Sequence, residues 1–330
     1  MDSTNQTTKE YHETPEDQKE SKALFDFKTA LATITEKNIK NLITPDLLLN
    51  DDLLIRFLRA RKSNIKKAVK MISDYLKWKQ KVNLDSIYSN FVFKQKLQVE
   101  YIFPQGFHKT TKNGNPIYFQ VIGRLNPEEL FKITSHEDLI NFLIQTFEKN
   151  ERDLYKICSN NAGKYIHGVF TIMDFKGITK SILNKKVFSY LKEGTKICQD
   201  YFPESLEGCY ILNAGMVFRT LYSTCKAFLD SKTKKKIRVY GSIYQNDLLK
   251  IIDSKNLPTF WGGECDCPEG CLFSNEGPWK NLEAKDELTE DIIKKRKEVT
   301  DIIKFGKLQT SPEDQTNEHI QGGVSGEDYN

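Results

Sequence analysis

Residues 228–240 read FLDSKTKKKIRVY, and Lys232, Lys234, Lys235 and Lys236 crowd positive charge directly ahead of an apolar run in which Ile237, Val239 and Tyr240 face a core. Clustered ammonium groups hold an anion by charge-assisted hydrogen bonds. The apolar run beside them suits a ligand with one charged end and one apolar end. A second candidate is CDCPEGC, where Cys265, Cys267 and Cys271 have a spacing that offers three thiolates to zinc. No fourth ligand lies nearby in the sequence, so these three are read as free loop thiols. A third is Asp174, which follows the apolar run TIM at a position where α/β enzymes often keep a catalytic carboxylate. No base or nucleophile accompanies it.

The motifs of bond-breaking chemistry are absent. The chain has no GxSxG elbow, no Walker-type phosphate loop, no HExxH and no strand-linked GxGxxG, and the glycines of QGGVSG lie in a polar tail. Of its five histidines, His12, His136 and His319 sit in polar stretches, while His108 and His167 are isolated and read as structural. A non-enzyme is expected, with no catalytic residue, no metal and no cofactor. The balance of 49 basic against 45 acidic side chains gives only +4, too little to predict nucleic-acid binding. No apolar run is long enough to span a bilayer, and the first residues lack both the apolar core of a signal peptide and the Arg-rich character of a transit peptide. Seven cysteines, an odd number, then read as reduced thiols of a cytoplasmic protein.

Two kinds of element must position these residues. In NDDLLIRFLRAR, Asn50 caps a predicted helix with Asp51 and Asp52 in its first turn and Leu53, Leu54, Phe57 and Leu58 on one face. Ala68, Ile72, Tyr75 and Leu76 mark a second helix, and residues 22–98 read as a small helical unit. Beyond it the periodicity alternates. Asn113-Gly114 supplies a hairpin turn; strands are expected at Ile117–Ile122, HGVFTIMDF, CYILN and IRVYG, separated by helices. Four strands joined by helical crossovers imply an α/β domain with a mostly parallel sheet over residues 99–280. A charged helix over 281–308 is expected to pack outside through its isoleucines, and residues 1–21 and 309–330 are expected to lack order.

Taken in order, LLIRFLRARK, FHKTTKNGNPIYF, TIMDFKGI, YFPES, YILNA, FLDSKTKKKI, NLPTFWGG and GPW resemble the CRAL-TRIO lipid-binding family, and within it the members that transfer phosphatidylinositol and phosphatidylcholine along the secretory pathway. The resemblance implies a helical unit beside an α/β domain whose apolar cavity takes one phospholipid and is closed by a mobile gate helix. It places the phosphatidylinositol headgroup on Arg61, Lys62, Glu204, Thr233 and Lys236. For a second lipid it leaves Tyr118 and Thr171, but Val169 stands where the family pattern has a serine, and Gly106-Phe107 replace a tyrosine pair. Phosphatidylcholine is therefore the less expected second ligand, and an apolar lipid such as a sterol is an alternative. The gate falls on GMVFRTLYSTCKAFL, with Phe218, Leu221, Tyr222 and Phe228 on its apolar face and Arg219, Thr220, Ser223 and Lys226 opposite; Gly262 and Gly263 are the expected hinge. The same segment also fits a plain core helix, and the lysine run an ordinary charged turn. The implied role is exchange of single lipids between membranes and presentation of phosphatidylinositol, with transient contact at Golgi or endosomal membranes, a phosphatidylinositol kinase as a partner, and a monomeric state. A lipid-sensing interaction module without efficient transfer is the competing reading.

Overall fold

The computed structural model describes residues 15–268, 270–280, 289–305 and 324–325. They divide into two compact units, up to Val82 and from Asn83 onward. The first consists of α1 (Pro15–Ala32), α2 (Lys37–Lys40), α3 (Pro45–Leu49), α4 (Asp51–Ala60) and α5 (Ile65–Val82). Asn50 Oδ1 accepts from the Leu53 N–H at 3.0 Å, so α4 begins at the cap its sequence supplies. α1, α4 and α5 meet through Phe27 and Leu31, Leu54, Phe57 and Leu58, and Ala68 and Ile72, all buried. Each of the large side chains contributes about 1.5–3 kcal/mol by leaving water. Residues 15–21, expected to lack order, are instead the opening turns of α1. The reason is local: Glu20 accepts from Arg59 Nε at 2.5 Å and Nη2 at 2.6 Å, and Phe27 and Leu31 anchor the turns that follow. Residues 1–14 lie outside the described residues.

Asn83, in the left-handed region at φ +53°, opens the second unit. α6 (Leu84–Asn90) and α7 (Lys96–Ile102) belong to it rather than to the helical unit. Phe93, Val99 and Phe103 share a core with Leu130 and Leu139, and Gln145 Nε2 donates to the carbonyls of Ile87 at 3.0 Å and Phe91 at 2.8 Å. These contacts move the boundary expected at residue 98 back to Val82.

The sheet follows, with β1 (Gln105–Thr110), β2 (Pro116–Val121), β3 (Val169–Asp174), β4 (Leu206–Leu212), β5 (Ile237–Val239) and β6 (Val324–Ser325) in that spatial order. β2 through β5 run parallel, and β1 and β6 add antiparallel edges. The crossovers are α8 (Pro127–Ile133), α9 (His136–Lys149) and α10 (Tyr155–Ala162) between β2 and β3; α11 (Lys185–Tyr201) between β3 and β4; and α12 (Met216–Cys225) with α13 (Ser231–Lys236) between β4 and β5. β1 was not among the expected strands, and β6 falls in a stretch expected to lack order. α14 (Gln245–Ile251) and α15 (Glu290–Phe305) complete the unit. α15 buries Val299 and Ile303 in the same core as Phe119, Ile172 and Trp261, while Ile293 stays exposed, so its packing is not carried by isoleucines alone. Among the described residues, no helix is long and apolar enough to cross a membrane.

Candidate functional site

The two faces of the sheet differ. Ile117, Phe119, Val121, Phe170, Ile172 and Leu212 point into one core and are buried. The alternate residues of the two inner strands, Tyr118 and Gln120 on β2 and Thr171 and Met173 on β3, are only half-buried. Register links them into two rows on one face, Phe107–Tyr118–Thr171–Cys209–Ile237 and Gln105–Gln120–Met173–Ile211–Val239. In parallel sheets both faces are normally covered and closed to solvent. Here the middle of one face remains accessible.

Tyr118 and Thr171, the residues assigned to a second lipid, are direct neighbours across β2 and β3. The Tyr118 hydroxyl donates to Gln105 Oε1 at 3.0 Å, and Gln120 Nε2 donates to the same oxygen at 3.3 Å. Burial, with Tyr190 and Glu100 nearby, pushes the Tyr118 phenol above its ordinary range, so it stays protonated and can donate. Gln105 and Gln120 thus join the polar group on this face. Sequence reading missed them because their pairing exists only once β1 is in register.

At the N-terminal edge of β4 and β5 stands a cationic cluster. The lysine run expected as a loop is a helix, because Asp230 caps it, accepting from the Lys232 N–H at 2.8 Å, the Thr233 N–H at 2.9 Å and the Thr233 hydroxyl at 2.6 Å. Glu204 holds φ +61° in the turn before β4, and its largely buried carboxylate lies 2.6 Å from Lys232 Nζ and 3.8 Å from Lys236 Nζ. Lys236 Nζ also donates to the Leu206 carbonyl at 2.5 Å. The chain therefore brings Glu204 and Lys236 together, with Thr233 on the same short helix and Lys232 as a further member. Arg61 and Lys62 belong to the first unit, where Arg61 ends α4 and donates from Nη1 to the Ala60 carbonyl at 3.1 Å. Lys62 and the next residue, Ser63, both take positive φ, at 51° and 57°.

α12 lies over one side of the accessible face. Val217, Phe218, Leu221 and Tyr222 are buried in a cluster with Cys209, Ile211 and Val239, while Met216, Arg219, Thr220 and Ser223 are exposed. The Phe218 ring sits 4.9 Å from Phe175 and 5.4 Å from Tyr222. Phe228 lies beyond the α-helix, which ends at Cys225: it falls in the single 3-10 turn that follows, and its carbonyl accepts from Gln199 Nε2 at 2.6 Å. Gly262 has φ +91°, and a Cβ on Gly263 would lie 2.0 Å from the Leu257 carbonyl oxygen, so the turn itself requires both glycines.

Asp174 is a buried structural acceptor. Its Oδ2 accepts from Trp261 Nε1 at 2.9 Å, and its Oδ1 from Asn213 Nδ2 at 2.7 Å and the Lys176 N–H at 2.9 Å. The fold also supplies what CDCPEGC lacks in sequence, because His108 on β1 lies beside Cys265, Cys267 and Cys271. Burial, with the Lys109 ammonium adjacent, pulls the His108 imidazole down to about 3, so the ring is neutral near pH 7.

The model of the CRAL/TRIO domain matches residues 102–263, and that of the CRAL/TRIO N-terminal domain matches residues 23–74. The chain belongs to the CRAL/TRIO family. It is 37% identical over 231 residues to the Sec14 cytosolic factor of Schizosaccharomyces pombe, covering 70% of this chain and 80% of that protein. It is also 35% identical over 271 residues to the phosphatidylinositol/phosphatidylcholine transfer protein SFH9 of Arabidopsis thaliana, covering 81% of this chain but only 45% of the plant protein. Among solved structures, that of Sfh5 matches with a TM-score of 0.55 at 20% identity over 69% of this chain and 82% of the other, a likeness of fold.

Proposed function

We propose that the chain carries single phospholipids between membranes, with phosphatidylinositol as its principal ligand, and makes or breaks no bond. The observation that carries this reading is the half-buried row Tyr118, Gln120, Thr171 and Met173 in the middle of a parallel sheet, with a lysine cluster at the strand edge. Acyl chains would lie along the open face beside α12, over β2 and β3. Lys232 and Lys236 would bind the headgroup phosphate, Thr233 would add a hydrogen bond, and Glu204 would accept from inositol hydroxyls. The relatives named as phosphatidylinositol/phosphatidylcholine transfer proteins support the assignment. Exposing a sixteen-carbon chain to water costs on the order of 12 kcal/mol at about 0.8 kcal/mol per methylene, so an enclosed chain removes most of the barrier to transfer.

In this reading α12 is the gate, moving when the protein touches a membrane, with Gly262 and Gly263 as its hinge. Presentation of phosphatidylinositol to a kinase is the corresponding cellular role. A transfer assay between donor and acceptor vesicles tests the headgroup assignment. Lys236→Ala is expected to lower phosphatidylinositol transfer about tenfold, the loss of one charge-assisted hydrogen bond, and to leave transfer of a neutral lipid nearly unchanged. Equal losses for both lipids would refute it.

A further inference from the structure

We propose that His108, Cys265, Cys267 and Cys271 bind one zinc ion in a closed structural site that clasps β1 to the segment following the Gly262-Gly263 turn. Their four donor atoms all lie within 4.8 Å of one another. Cys265 Sγ is 3.7 Å from Cys267 Sγ and 3.4 Å from His108 Nε2. Around a tetrahedral zinc with Zn–S about 2.3 Å and Zn–N about 2.05 Å, sulfurs are separated by about 3.8 Å and sulfur from nitrogen by about 3.6 Å. The two spacings from Cys265 Sγ are close to these, and the widest, at no more than 4.8 Å, closes by about 1 Å when the ligands take up the ion. Disulfide sulfurs would be about 2.05 Å apart.

The surroundings favour metal-ready donors. His108 Nδ1 is 3.0 Å from Ser274 Oγ, and the Ser274 hydroxyl donates to the Cys271 carbonyl at 3.3 Å. With its own proton so committed, Ser274 accepts from Nδ1–H, which leaves the lone pair on Nε2 facing Cys265. A histidine oriented through its second nitrogen in this way is the usual arrangement at zinc. The Cys267 N–H points at Cys271 Sγ, 3.5 Å away, and Lys109 Nζ is 3.0 Å from Cys265 Sγ. Three thiolates around Zn²⁺ leave one net negative charge, which the Lys109 ammonium offsets. Soft thiolates with an imidazole in a tetrahedral array select zinc over the hard cations.

Backbone irregularities fall where the ligands converge. The β1–β2 register shifts between Phe107 and Thr110, and Lys109 holds φ +50°, a bulge that re-aims the side chain of His108. Gly270, at φ +78°, donates its N–H to the Cys267 carbonyl at 2.8 Å, closing the turn between Cys267 and Cys271. Three of the four ligands are buried and Cys267 is half-buried. All four positions come from the protein, so the site is structural and leaves no coordination place for a substrate. Its mechanical effect is to fix β1, the strand that supplies Gln105 and Phe107 to the accessible face.

The test uses the full chain without a histidine tag, expressed with added zinc and purified in reducing, chelator-free buffer. Elemental analysis is expected to find one zinc per chain. Exchange with Co²⁺ is expected to give the visible bands of a tetrahedral thiolate complex. Cys271→Ser and His108→Ala should each weaken metal retention about tenfold or more, whereas Cys198→Ala, on α11, should retain one zinc. Less than about one zinc per ten chains after incubation with zinc, together with no cobalt bands, would overturn the proposal on the unmutated protein, whatever the variants do. Equal metal loss in Cys198→Ala and Cys271→Ser would overturn it too.

Discussion

Asp230 sets the position of the lysines, because its carboxylate is the N-cap of α13 and takes three hydrogen bonds. Burial alone would raise its pKa, but the Thr233 hydroxyl and the N–H groups of Thr233 and Lys232 outweigh that and hold it below the ordinary carboxylate value. Its folded pKa is thus depressed, so the cap's contribution is present above the ordinary value near 3.9 and disappears as pH falls through the lower, folded value. Asp230→Ala is expected to cost about 1 kcal/mol at neutral pH, with variant and parent converging in acid when urea unfolding is followed against pH. A gap independent of pH would show that the carboxylate does not act as the cap. Trp261→Phe removes the donor to buried Asp174 Oδ2 and is expected to cost about 1–3 kcal/mol by the same measurement. A loss below about 0.5 kcal/mol would mean that the acceptor is satisfied otherwise. Residue types alone pointed to the lysine run from Lys232 to Lys236, since clustered charge is visible in a string of letters, while Glu204 and Thr233 entered only through the family resemblance. Residue types could not point to His108 as a neighbour of Cys265, because 157 residues separate them and only the bulge in β1 turns the imidazole that way.

Apart from α13, the order of strands and main crossover helices from β2 to α14 follows from apolar periodicity, and the inner strands have the strongest signal because one of their faces is fully buried. β1 escaped that reading because QGFHKT holds a single large apolar residue, Phe107, and its pairing with β2 is what makes it a strand. α13 escaped because a lysine run carries no apolar stripe; its cap and the charge of its last turn, favourable at a helix C-terminus, decide its form. α6 and α7 read as part of the helical unit since periodicity reports that a face is buried and not what it is buried against. For α12 the proposed gating makes a distinct prediction. On addition of phospholipid vesicles, amide hydrogen exchange is expected to quicken in residues 216–225 while β2 to β5 keep their protection. Unchanged exchange in α12 with active transfer would place the opening elsewhere in the fold.

The two units together account for both family matches, the N-terminal model over residues 23–74 and the CRAL/TRIO model over residues 102–263. Length and composition foretold a chain able to fill a large core. What composition could not foretell is that one face of the central strands stays accessible, because burial on the two faces of a strand depends on what the crossovers leave uncovered. Everything proposed about transport depends on that face holding one lipid. Native mass spectrometry of the purified chain, followed by analysis of the extracted lipid, measures this. The account predicts a mass increment of one phospholipid per chain, enriched in phosphatidylinositol and replaced when the protein is incubated with labelled vesicles. A chain that carries no lipid, before and after such incubation, would contradict it.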